Sequence, residues 1–188
     1  MNYKLLTAPH PNLRKKARPI KQADKKLISN QELLIQALND EQDPPGVGMA
    51  FTQIDKLIRG FAFRPSADKN KETIIMLNPE IVSHSEQLSL GENPKEADLE
   101  GCLSVPKIYG PVWRWQWIEL TYQIAKNNQL VNKKGKFSDY EARIIQHEID
   151  HLEGVLFTDR LIEQDQPAYL KENDDFIPIE DKTLLKVY

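Results

Sequence analysis

Between Lys25 and Glu41 the apolar residues Leu27, Ile28, Leu34, Ile35 and Leu38 fall on one side of a helical repeat. The spacing predicts a core-packing helix over 25–41. It ends at Asp43-Pro44-Pro45-Gly46, where prolines remove backbone donors and Gly46 and Gly48 allow close backbone paths. Shorter runs of strand character follow at 57–63, 73–77 (closed by Asn78-Pro79), 81–85 and 117–124. Polar stretches at 65–72 and 85–98 read as loops, and 12–17 as a short helix between prolines. A second helix is marked over 138–154. Ser138 stands at its N-cap, Glu141 completes a capping box and Gly154 closes the far end. Its inward stripe runs through Tyr140, Ile144, His147, Glu148 and His151. Tyr140 and Ile144 suit either plain core packing or the wall of an apolar pocket. The elements together predict an α+β fold of short antiparallel strands packed around a central helix.

A chain of 188 residues is long enough for one sizeable core and short for two, so 1–188 is read as one domain. No run approaches the roughly 18 apolar residues needed to cross a bilayer, and the first residues lack the apolar core of a signal peptide. A lone cysteine, Cys102, excludes an internal disulfide and agrees with a reducing, cytoplasmic setting. An organelle stays open if a transit peptide has been removed. The net charge of −3 does not argue for nucleic acid or membrane. The segment 14–26 is nonetheless basic, with Arg14, Lys15, Lys16, Arg18, Lys21, Lys25 and Lys26 against Asp24. It reads as a solvated face or as a docking patch for an anionic partner.

Chemistry concentrates in Gln146-His147-Glu148-Ile149-Asp150-His151. Residues four apart share a helix face, so His147 and His151 can hold one metal ion with Glu148 beside them as a base. Such sites take a third protein ligand and leave one position to water. Glu163, Glu172 and Glu180 lie downstream, whereas His10 and His84 lack a partner at ligand spacing. Cys102 is the attractive candidate, because a metal holds a thiolate deprotonated.

Three ordered blocks resemble the peptide deformylase family. They are Gly46-Val47-Gly48-Met49-Ala50-Phe51-Thr52-Gln53, Glu100-Gly101-Cys102-Leu103-Ser104 and Gln146-His147-Glu148-Ile149-Asp150-His151. The resemblance extends weakly from about Leu5 to Leu161 and leaves the tail 162–188 outside. It implies a deformylase-like fold and a hydrolase that removes the formyl group from formyl-methionyl nascent peptides. It also implies one divalent metal ion on Cys102, His147 and His151, Fe(II) by family habit, with Zn, Ni or Co able to replace it. Ligand chemistry alone does not choose among these ions. Glu148 would act as general base and then acid, while the Gln53 side-chain amide and the Leu103 backbone N–H would stabilise the charged oxygen. Val47 and Gly48 would pair with the extended peptide. Val47, Tyr140 and Ile144 would line a methionine pocket, and Glu100 would pair with Arg114 to support the cysteine loop.

Two residues depart from the family pattern. Phe51 replaces an alanine, and would narrow the pocket if its ring faced the site. Tyr109 stands where many bacterial members carry an arginine that contacts the peptide. The basic segment 14–26 leaves ribosome contact as an expectation. Pro167 and Pro178 argue against a long C-terminal helix, so the tail is expected as an extended strand packed back on the domain. A zinc peptidase built on the same helix, and a catalytically silent relative that binds nascent chains, are the competing readings. Cleavage of internal peptide bonds would favour the first and loss of a ligand the second.

Overall fold

The structure, a computed structural model, describes residues 3–42, 45–65, 72–93 and 96–187. Pro44 and most of the expected loop 65–72 lie outside these residues. The chain runs through α1 (Lys25–Asp40), β1 (Gly48–Ala50), β2 (Gly60–Phe63), β3 (Ile74–His84), β4 (Leu88–Ser89) and β5 (Leu99–Cys102). It continues as β6 (Val105–Pro111), β7 (Arg114–Trp115), β8 (Trp117–Lys126), β9 (Gln129–Ser138) and α2 (Asp139–Glu153). The last elements are α3 (Phe157–Glu163), β10 (Tyr169–Glu172) and β11 (Asp175–Pro178), then a final 3-10 turn. Among the described residues, all the pairings between these strands are antiparallel. One sheet has the order β1-β2-β3-β8-β9, a second β11-β10-β6-β5, and β4 pairs with β7.

The expected α+β arrangement is present, with α2 at its centre. Phe61 and Phe63 of β2 point toward α2, where they pack with Ile144, Ile145 and Leu152. Ala62 points the other way, to Leu34 and Leu38 of α1. A strand covered on both faces explains the unbroken apolar run Gly60-Phe61-Ala62-Phe63. A third cluster, with Leu6, Val105, Ile108, Phe157 and Leu161, joins the second sheet to α3.

The observed elements correct several expectations. The strands expected at 73–77 and 81–85 are one strand, β3. Asn78 takes φ 48° within a register shift, and its side chain bonds the Ile20 backbone on both sides at 2.7 and 2.8 Å. The short helix expected over 12–17 contracts to a 3-10 turn at Pro11–Arg14. Ser138 makes no side-chain cap. It still pairs with Trp117 as the last residue of β9, and Asp139, at φ 51°, donates its N–H to the Gln116 carbonyl instead. Gly154 does close α2, at φ 76°, and a Cβ there would meet the Arg14 carbonyl oxygen at 2.6 Å. The tail is an additional hairpin, β10–β11, paired to β6.

Candidate active site

The β5–β6 connection brings Cys102 to α2. A register shift between Gly101 and Cys102 bends the strand there, a device that re-aims a side chain. Cys102 Sγ lies 3.2 Å from His151 Nε2. The ligand atoms of Cys102, His147 and His151 all fall within 4.8 Å of one another. A soft thiolate and two imidazoles converging from two elements fit a single divalent transition-metal ion.

The imidazoles are held in different ways. His147 Nδ1 lies 3.2 Å from Glu100 Oε2, which leaves its other nitrogen to face Cys102. His151 is fully buried, and its Nδ1 has no hydrogen-bond partner among the described residues. Burial pushes the His151 pKa well below its ordinary value, with the charges of His147 and Arg114 adding to the effect. A neutral imidazole is the form that could serve as a metal ligand. Burial acts in the same direction on His147, but its contacts with Cys102 and Glu100 outweigh it and raise its pKa.

Glu100 anchors a buried ionic network. Arg114 donates to both of its oxygens, at 3.0 and 2.9 Å, and also reaches Asp150 Oδ2 at 2.6 Å. Arg143 donates to Glu100 Oε1 and to the Val112 carbonyl, both at 2.8 Å. Arg160 grips Asp150 from outside at 2.7 Å. Burial alone would push the Glu100 carboxyl up, yet Arg114 and His147 hold it well below the usual carboxylate range. The Glu100–Arg114 contact inferred from the motif is thus one link in a longer chain. Asp150 stood inside the third motif block without an assigned role, and Arg143 and Arg160 carried no sequence signal beyond being charges on or next to a helix.

Glu148 is buried, and its Oε2 has no hydrogen-bond partner among the described residues. Burial raises its pKa to about 7, against the lowering influence of His147 and Arg114. A carboxylate near neutrality is poised to exchange protons. Gly48 makes room for it, since a Cβ at that position would lie 2.3 Å from Glu148 Oε1. Gln53 sits in a 3-10 turn directly after β1, and its Oε1 accepts from the Ala50 N–H at 2.8 Å. That contact turns the Gln53 amide nitrogen toward Ser104 Oγ at 3.1 Å and Cys102 Sγ at 3.8 Å. Ser104, fully buried, was missed from sequence as the partner that fixes this amide.

A cleft of about 930 Å³ opens on these groups. Val47, Gly48, Leu103, Tyr140 and Ile144 all line it. Phe51 does not, being fully buried in the α1 cluster beside Leu34 and Ile54. The substitution therefore fills core rather than pocket. Tyr109 borders the cleft, its ring lying across Gly101.

A family model described as polypeptide deformylase matches residues 2–167. A peptide deformylase of Rhodopirellula baltica is 34% identical over 178 residues, covering 92% of this chain and 81% of that one. The crystal structure of a plant peptide deformylase superposes with a TM-score of 0.74 at 31% identity, over 86% of this chain and 82% of the plant chain. The peptide deformylase of Thermotoga maritima gives 0.70 at 31% identity, over 85% and 97%.

Proposed function

The chain belongs to the peptide deformylase family of metal-dependent amide hydrolases, and on that premise we propose that it removes the formyl group from the N-terminal formyl-methionine of newly made polypeptides. The observation that carries this reading is Glu148, a buried carboxylate with a free oxygen beside the Cys102, His147 and His151 cluster. Cys102, His147 and His151 would hold one divalent ion, with Fe(II) expected and Zn, Ni or Co able to replace it, and that ion would supply Lewis acidity at the site.

The chain's own groups do the rest. Glu148 takes the proton from the water as it attacks the formyl carbon, then returns it to the departing amine. The Gln53 amide donates to the oxygen on which charge builds, fixed beforehand by its Ala50 and Ser104 contacts. The Leu103 backbone N–H supplies the second donor. Val47 and Gly48 on the rim pair with the peptide backbone, and Val47, Tyr140 and Ile144 take the methionine side chain. Glu100 and Arg114 orient His147 and the cysteine strand.

Ribosome contact through 14–26 has less charge available than the sequence offers. Arg14 pairs with Asp159 and Lys16 with Glu153, leaving Lys15, Arg18, Lys21, Lys25 and Lys26 as the exposed cations outside those pairs. No helix among the described residues is long and apolar enough to cross a membrane.

Anaerobic purification, metal analysis and a formyl-methionyl peptide assay on one sample test the reading. One equivalent of divalent metal and stoichiometric formate release are expected. Cleavage of internal peptide bonds without preference for a formyl group would replace it with the peptidase reading.

A further inference from the structure

The family match stops at residue 167, but the cleft continues past it. Lys171, Glu172 and Asn173, at the turn of the β10–β11 hairpin, line the same space as Cys102 and Glu148. Register decides which side chains face it. Tyr109 lies opposite Gly101 on one side and Tyr169 on the other, and Lys171 lies opposite Phe176. Cross-strand partners share a face and alternate residues switch. Tyr109, Lys171 and Phe176 therefore share one face of the sheet, Tyr109 and Lys171 lining the cleft and Phe176 standing against Tyr109 beside it, while Ile108 and Leu170 pack in the third apolar cluster. The rings of Tyr109 and Phe176 meet edge to face at 5.3 Å and 84°. At its other side the Tyr109 ring lies over Gly101, next to Cys102.

We propose that the β10–β11 hairpin reads the part of the peptide downstream of formyl-methionine: the Tyr109–Phe176 shelf receives an apolar or aromatic side chain, and Lys171 favours an acidic one beyond it. The inference rests on the deformylase reading above. Two strand spacings of about 4.8 Å separate β5 from β10, and an extended peptide advances about 3.3 Å per residue. A peptide of three or four residues reaches the hairpin, and a dipeptide falls short.

Steady-state kinetics with formyl-Met-Ala, formyl-Met-Ala-Phe-Glu and formyl-Met-Ala-Phe-Lys test it, using the metal-loaded native protein, Lys171→Glu and Phe176→Ala. Phe176 is 42% exposed and Lys171 partly so, and circular dichroism checks that both variants fold. The readout is kcat/KM for each tetrapeptide divided by that for the dipeptide. The native protein should prefer the Glu tetrapeptide, and Lys171→Glu should reverse the preference, a swing of about fivefold. Phe176→Ala should lower both ratios about fivefold, through KM. Ratios that stay constant across the three proteins overturn the inference and leave the deformylase reading standing. Failure of the native protein to release formate from any of the peptides overturns that reading, and the inference with it.

Discussion

Gly48 and Glu148 occupy one another's space: the carboxylate oxygen Oε1 lies 2.3 Å from where a β-carbon on Gly48 would stand. Backbone on β1 and a side chain on α2 are thereby fitted together at the point where proton transfer is assigned. The glycine, expected from sequence to let the peptide come close, first of all admits the base. Gly48→Ala should displace Glu148 and lower kcat about 10²-fold, the cost of roughly 1 Å of misplacement. Metal content should stay at one equivalent, measured on the same preparation. Normal turnover in Gly48→Ala would separate Glu148 from the chemistry.

Replacing the acid–base group and replacing a ligand should give different losses. Glu148→Gln should retain metal and lose about 10²- to 10⁴-fold in kcat. His151→Ala should lose the metal as well. Metal analysis beside formate release distinguishes them, and a Glu148→Gln protein with near-normal turnover would remove the assigned base.

The Glu100 carboxylate is shared by Arg114, Arg143 and His147. Glu100→Ala should leave Arg114 buried with only its Asp150 partner, at a cost of about 3–5 kcal/mol in urea unfolding. Freed of its orienting contact, His147 should bind metal about 10- to 100-fold more weakly. Competition with a chromophoric chelator reads that change directly.

Acid stability should carry the mark of the same residue. Because the folded pKa of Glu100 is depressed, its contribution is fully present above the unfolded carboxyl value, about 4.3. It declines as the pH falls below that value toward the depressed folded one. The native protein should therefore lose more unfolding free energy between pH 6 and pH 3 than Glu100→Gln does. Parallel slopes for the two proteins would contradict the assignment.

Phe51 gives a prediction of the opposite kind. Its ring is fully buried against α1, so Phe51→Ala should destabilise the protein by about 3–5 kcal/mol. Selectivity for formyl-methionine over other formylated residues should not change. A shift in selectivity would place the ring in the pocket after all.

What the sequence made legible was local. The histidine pair and Gly154 announce α2 because ligand spacing and a left-handed stop are both written within one helix. The link to Cys102, 49 residues before His151, rested on ligand chemistry and the motif blocks, since no periodicity reports a long-range contact. β9 went unseen because it is a largely exposed strand with few apolar residues, signalled only by the Asn127-Asn128 turn at φ 52° and 59°. The ionic network beyond Glu100 and Arg114 was invisible for a related reason: only the fold brings Asp150 to Arg114 and Arg143 to Glu100. β11 is exposed along its length, so burial left no pattern there to find.

The direct passage from β9 into α2 leaves no spare residue between sheet and helix. Trp117 holds Ser138 in the ladder, and the helix begins at the next position. Each added residue would rotate a helix by about 100°. One amino acid inserted at that joint would thus carry His147 into the place of Glu148 and His151 into that of Leu152, whatever the quality of the helix itself. The sheet acts as the index mark from which the angular position of the ligands is counted.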